Sequence, residues 1–260
     1  MNIVVLVKQV PDTGAERILS GKDHTLDREG PELVLDEINE RAAEVALTLK
    51  ETVGADVTVV SMGPDSALEA VRKVLAMGAD SGIHICDDRL RGADVVSTAR
   101  VLAAAVRTVE DVDLVLAGDA TTDGQSGAVP AVVADLLGLP QLTHVRELQV
   151  EAGRVRAERE TESGGATLDA PLPALVSVTE KINEPRYPSF KGIMAAKRKP
   201  VETVDLDDLF PDADGTEFLV TRTRVVEAVP RAARAAGIRV TDDGSAGRQL
   251  VDYLMAQKLV

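Results

Sequence analysis

Four short apolar runs, Ile3–Lys8, Val57–Met62, Gly82–Cys86 and Asp113–Gly118, recur through the first half of the chain. Each is rich in Val, Ile or Leu and is followed by a Gly, Pro or Asp turn signal, the pattern of strands buried on both faces. Between them lie Asp36–Lys50, Ser66–Met77, Ala93–Val109 and Ala128–Leu137, Ala-rich segments with helical spacing. This alternation specifies βαβ units and a doubly wound, mostly parallel α/β sheet. Asp36 and Ser66 are the expected N-caps, and Gly78 the expected C-cap.

Residues 140–180 change character. Leu142–Val150, Arg154–Glu160 and Leu172–Thr179 predict three strands joined by turns at Glu151-Ala152-Gly153 and Ser163-Gly164-Gly165. An antiparallel meander on the edge of the parallel sheet is the simplest account. The core domain then spans residues 1–182. Residues 183–200 are a basic, partner-recognition segment, and 201–260 an extended C-terminal arm ending in a helix at Gly247–Lys258.

Composition narrows the function. The chain of 260 residues has 29 Lys plus Arg against 43 Asp plus Glu, a formal −14. Nucleic-acid binding needs a basic face to displace counterions, so it is excluded as a general function. Only five residues are aromatic, which argues against base stacking as a main role. The lone Cys86 leaves no CxxC pair and no Cys/His cluster for zinc. No apolar run reaches the length of a membrane span, and the start lacks a secretory pattern. A cytoplasmic protein without membrane insertion is expected.

In a doubly wound sheet, ligands bind beyond the carboxyl ends of the strands. Three loops qualify: Leu35–Asn39, Ser61–Asp65 and Gly118–Gly127. The last combines three glycines with the hydroxyls of Thr121, Thr122 and Ser126, and opens a helix whose N-terminus suits a phosphate. Its plainer alternative is an ordinary polar strand-to-helix turn. G-x-G-x-x-G, G-x-x-x-x-G-K-[ST] and G-x-S-x-G are all absent, so a standard NAD fold, a P-loop and a hydrolase elbow are rejected. His84, inside Ile83-His84-Ile85, reads as structural. No catalytic residue and no metal site is singled out.

The segment from Asn183 to Met194 places Tyr187 and Phe190 within four positions, between Pro185, Pro188 and Gly192 and beside lysines. Tyr, Arg and Met suit a docking surface, and the breakers predict a loop without a regular element. Its alternative is a loop folded back on the core. Residues 181–200 hold six bases and one acid, Glu184, and residues 201–217 seven acids and no base. Such blocks form a solvated linker or, with anchors such as Phe210, Phe218, Leu219 and Val220, an arm around a partner.

Three stretches together resemble the electron transfer flavoprotein beta subunit, of a bacterial, non-bifurcating type: Val7-Lys8-Gln9-Val10-Pro11-Asp12, Leu75–Asp80 leading into Gly82-Ile83-His84, and Asn183–Tyr187 continuing through Gly192–Lys199. The resemblance implies an adenine-nucleotide alpha hydrolase-like fold and a heterodimer with an alpha subunit that holds most of the FAD. AMP is the implied nucleotide of this chain, at Leu6, Asp36, Glu37, Ile38, Asn39, Met62 and the loop Asp119, Ala120, Thr121, Thr122, Asp123, Gly124, Gln125, Ser126, Gly127. Arg186, Tyr187, Pro188, Ser189, Phe190, Lys191, Gly192, Ile193 and Met194 would dock acyl-CoA dehydrogenases, and Glu160 would orient the flavin domain. Electrons would pass on to a membrane quinone oxidoreductase, with residues 201–260 wrapping the alpha subunit.

The loop after the fourth strand departs from the family form G-[KR]-Q-A-I-D. Asp119 stands where the base would be, which weakens the expected phosphate contact. A stand-alone nucleotide-binding regulatory module of universal-stress-protein type is the competing reading, and a hydrolase or transferase on the same fold ranks last.

Overall fold

The computed structural model describes residues 1–161, 163–212, 223–229, 232 and 237–260. Two compact units emerge, Met1–Val226 and Glu227–Val260. The first is built on a nine-stranded sheet. Its strands are β1 (Asn2–Val7), β4 (Asp56–Met62), β5 (Ser81–Ile85), β6 (Val112–Gly118), β7 (Gln141–Glu151), β8 (Arg154–Thr161), β9 (Gly164–Pro171), β10 (Ala174–Val178) and β11 (Val201–Val204), in the order β11-β5-β4-β1-β6-β10-β7-β8-β9. Pairing is parallel from β11 through to β7 and antiparallel only in β7-β8-β9. A separate two-stranded ribbon joins β2 (Gln9–Pro11) to β3 (Leu33–Leu35).

Successive side chains of a strand point to opposite faces, and each face here meets its own helices. Ile3, Val5 and Val7 of β1 pack with α1 (Glu37–Val53) and α2 (Leu68–Met77), whereas Val4 and Leu6 pack with α3 (Val95–Arg107) and α4 (Val129–Leu137). Small residues let α1 lie close to the sheet: Ala42, Ala43 and Ala46 are fully buried. Asp36 caps α1 as expected, accepting from the amides of Ile38 and Asn39. Gly78 closes α2, but Ser66 is not its cap. A short 3-10 turn at Asp65–Ala67 precedes α2, and the Ser66 hydroxyl turns instead to Gln9, 2.9 Å away.

Two expected elements differ. The run assigned to the third meander strand is β10, which lies inside the sheet between β6 and β7 and parallel to both. All five of its residues are buried, and a strand covered on both faces belongs in a parallel interior. The third meander strand is β9, whose Gly-Gly-Ala-Thr start lacks apolar alternation because most of it is exposed.

Residues 201–209, placed in the arm by the sequence, extend the first unit. β11 pairs with β5, and α6 (Leu206–Leu209) follows it, with Val204 and Leu206 buried. The acidic block there is partly capping chemistry, since Asp205 accepts from the amides of Asp207 and Asp208 at 2.9 Å. Phe218, Leu219 and Val220 lie outside the described residues. In the second unit, α7 (Ala246–Ala256) carries the expected terminal helix, with Leu250, Val251, Tyr253 and Met255 exposed.

The placement of β10 is testable by chemical denaturation. Leu175→Ala, in a wholly buried position, should cost about 2–5 kcal/mol. Leu168→Ala, half-buried on the edge strand, should cost ~1 kcal/mol. Equal losses would be inconsistent with an interior β10.

Candidate functional site

The chain leaves β1 toward β4 on one side and later returns to place β6 on the other. The loops leaving β1 and β6 therefore diverge, a topological switch point of the kind that opens a crevice at the carboxyl end of a sheet. Asp36 stands at its centre and is completely buried. One carboxylate oxygen takes the amides of Ile38 (3.0 Å) and Asn39 (3.2 Å). The other takes the amide of Thr122 at 2.7 Å and its hydroxyl at 2.8 Å. A single side chain thus caps α1 and fastens the loop after β6.

Asp123 fastens the same loop from its other side. Its side chain is 1% exposed and accepts from Lys8 Nζ at 2.9 Å, Arg28 Nη2 at 2.6 Å and the Thr121 hydroxyl at 2.7 Å. Burial alone would push this carboxyl up, but the charge and hydrogen bond of Lys8, with the hydrogen bonds of Thr121 and Arg28, hold it well below the usual range. Arg28 also donates to the Gln9 carbonyl at 3.2 Å, so the excursion 12–32 is tied to the switch point. Gly118 is needed for close approach: a Cβ there would lie 2.5 Å from Asn39 Nδ2 and 3.0 Å from Ile38 Cγ2.

The structure brings Leu6, Asp36 to Asn39 and the 119–127 loop to one end of the sheet, with Met62 at the end of the next strand. Two hydroxyls offered by the sequence as ligand contacts are turned inward, Thr122 onto Asp36 and Thr121 onto Asp123. Other donors and acceptors remain. The first turn of α4 has no side-chain cap. Ser61 Oγ and Asp119 Oδ1 are buried without a hydrogen-bond partner, while Asp119 Oδ2 faces His144 Nδ1 at 3.1 Å. Uncapped helix amides and a glycine-lined approach fit the phosphate and sugar of an adenine nucleotide. Lys8 and Arg28, however, are already held by Asp123. Arg28 and His144 escaped the sequence reading because their partners lie 95 and 25 residues away.

Neighbouring groups are structural. His84 is buried, and its Nε2 lies 3.2 Å from the carbonyls of both Gly63 and Pro64, so that nitrogen carries the proton and braces the loop after β4. Burial, then a hydrogen bond to Asp65, pushes the Cys86 thiol up to about 11, so it is not a ready nucleophile. Among the described residues no three His, Cys, Asp or Glu side chains are grouped to hold a metal ion.

The segment from Asn183 to Met194 runs into a helix where its breakers predict none, α5 (Phe190–Ala196). Ser189 caps it by accepting from the Gly192 amide at 3.0 Å. Gly192 fits inside it because a Cβ there would overlap the Ala76 carbonyl oxygen of α2. Tyr187 and Phe190 are 96% and 82% exposed, with Ile193 and Met194 also exposed, so the segment does not fold its rings back on the core. Arg186 is the exception: its guanidinium grips Glu44 and Glu51 of α1. Glu160 lies apart on β8, where Lys181 (3.0 Å) and then Arg146 (3.6 Å) lower its carboxyl below the ordinary value.

Residues 23–209 match the family model described as the electron transfer flavoprotein domain. The chain is 52% identical over 264 residues to the electron transfer flavoprotein subunit beta of Mycobacterium tuberculosis, covering 100% of this chain and 99% of that protein. It is 36% identical over 262 residues to the protein of the same name from Thermoanaerobacterium thermosaccharolyticum, with both chains fully covered. It is also 36% identical over 242 residues to the caffeyl-CoA reductase-Etf complex subunit CarD of Acetobacterium woodii, covering 93% of this chain and 92% of that one.

Asp123→Asn should destabilise the protein by roughly 2 kcal/mol at pH 7, because it leaves Lys8 and Arg28 without their anion. The depressed carboxyl contributes fully above its unfolded value of about 4 and loses that contribution as pH falls through its folded value. Urea titrations should therefore show a constant gap between the two proteins down to about pH 4, narrowing only in stronger acid.

Proposed function

The chain belongs to the electron transfer flavoprotein family, and from that premise we propose that it serves as the beta subunit of a cytoplasmic heterodimer whose alpha subunit holds most of the FAD. When bound, that flavin would supply the redox chemistry of a shuttle between acyl-CoA and related dehydrogenases and a membrane quinone oxidoreductase. This chain contributes a scaffold, a dock and a nucleotide clamp, without turnover of its own. The observation that carries the reading is the outward presentation of Tyr187 and Phe190 beside the exposed Lys191, Lys197 and Arg198. An apolar tip with a basic rim suits a partner pocket edged by carboxylates.

AMP is the nucleotide we assign to the switch point. Asp36 and Asp123 would hold the 119–127 loop in shape, the α4 amides would face the phosphate, and Leu6, Ile38, Asn39 and Met62 would flank the base and sugar. The described aromatics, Tyr187, Phe190, Phe210 and Tyr253, all lie outside these loops, which favours a flavin ring stacked elsewhere. Glu160 is assigned to orienting the flavin domain, and the exposed apolar side chains of α7 to contact with the alpha subunit. Family membership favours this account over a stand-alone regulatory module.

Co-expression with the alpha subunit should give a yellow 1:1 complex. Mass spectrometry of ligands released by denaturing it should find one FAD and one AMP. Two FAD would reassign the nucleotide site, and a colourless, unpaired chain would overturn the function.

A further inference from the structure

Segment 183–199 connects β10 to β11, and an exposed connection of that length is ordinarily mobile. Here it is fixed at three places. At its start, Asn183 Nδ2 donates to the Arg41 carbonyl at 3.1 Å. The Arg186 amide donates to Glu44 Oε2 at 3.0 Å, its Nε and Nη2 reach the Glu44 carboxylate at 2.9 Å each, and the rest of the guanidinium grips Glu51. In its middle, Gly192 lets α5 rest on the Ala76 carbonyl of α2. At its end, Arg72 Nη1 donates to the carbonyls of Ala196 (2.7 Å) and Lys199 (2.9 Å), and Lys199 Nζ donates to those of Leu75 (2.9 Å) and Ala79 (2.6 Å).

Arg186 sits next to the most exposed ring of the segment, Tyr187, yet faces inward. Two carboxylates outnumber its single charge, and Glu44 is itself buried, so the cluster has a net negative charge and little to offer an acidic partner. We propose that Arg186 is a positioning residue and not a contact residue. Its clamp on Glu44 and Glu51 presets Tyr187 and Phe190, so the partner meets a surface that is already ordered. Presetting removes ordering entropy from the cost of association, which is where affinity is gained without a new contact. This inference rests on the docking reading above.

The test uses the purified alpha–beta complex, with butyryl-CoA dehydrogenase as electron donor and the complex as the varied substrate. Tyr187→Ala with Phe190→Ala tests docking itself and should raise KM. Glu44→Gln with Glu51→Gln then separates the two roles of Arg186. A contact residue, released from its carboxylates, would leave KM unchanged or lower it. A positioning residue predicts a KM raised about tenfold, with kcat and flavin content unchanged. Amide hydrogen exchange over 184–196 should quicken in the same variant, and in Gly192→Ala, which alters no charge. Should the double variant fail to assemble, Glu51→Gln alone, at an exposed carboxylate, should raise KM by a smaller factor. If the ring variants raise KM while the glutamate variants do not, positioning is overturned and docking stands. If the ring variants leave KM unchanged, the docking reading falls.

Discussion

A fully buried carboxylate must be satisfied where it sits, and Asp36 satisfies both its oxygens by joining two elements that the chain separates by 86 residues. Its first oxygen starts α1, and its second fixes the loop after β6. The crevice at the switch point keeps its shape because neither element can move without breaking the bonds of that carboxylate. Asp123 repeats the arrangement with charge, drawing Lys8 and Arg28 onto the same loop. The two acids make the 119–127 loop a braced structure in which the hydroxyls of Thr121 and Thr122 serve the protein first.

Much of this was legible in the sequence, and the reasons are local. The helix start at Asp36 was readable because a capping acid before an Ala-rich amphipathic run is a short-range signal. The strands of the first half were readable because short uninterrupted runs of Val, Ile and Leu, each ended by a turn signal, are the pattern of strands covered on both faces. The same rule applied to Ala174–Val178 would have placed β10 inside the sheet; proximity to a hairpin concealed it. β9 was illegible because an exposed edge strand needs no apolar pattern. At the site, the three loops were visible and their internal wiring was not. The Arg28–Asp123 pair spans 95 residues, and no spacing rule reaches that far.

The charge distribution follows the same division. The formal −14 conceals acids that are consumed locally: Asp205 caps α6, Asp87 and Asp207 hold Arg89, and Glu44 and Glu51 hold Arg186. The bases left exposed on 183–200, Lys191, Lys197 and Arg198, stand on a segment whose other cations are already engaged. An acidic protein thereby keeps a basic face in one place.

β10 lies in the interior of the sheet, and β11 at its far edge, with four strands between them. The segment between them therefore spans a fixed gap, like a strap buckled at both ends. Inserting or deleting a residue would pull on a sheet strand at one end or the other, whereas exchanging Tyr187 or Phe190 disturbs nothing beneath. A surface built this way is free to change its exposed side chains while its length is held constant, so its chemistry can drift by substitution alone while the frame stays put.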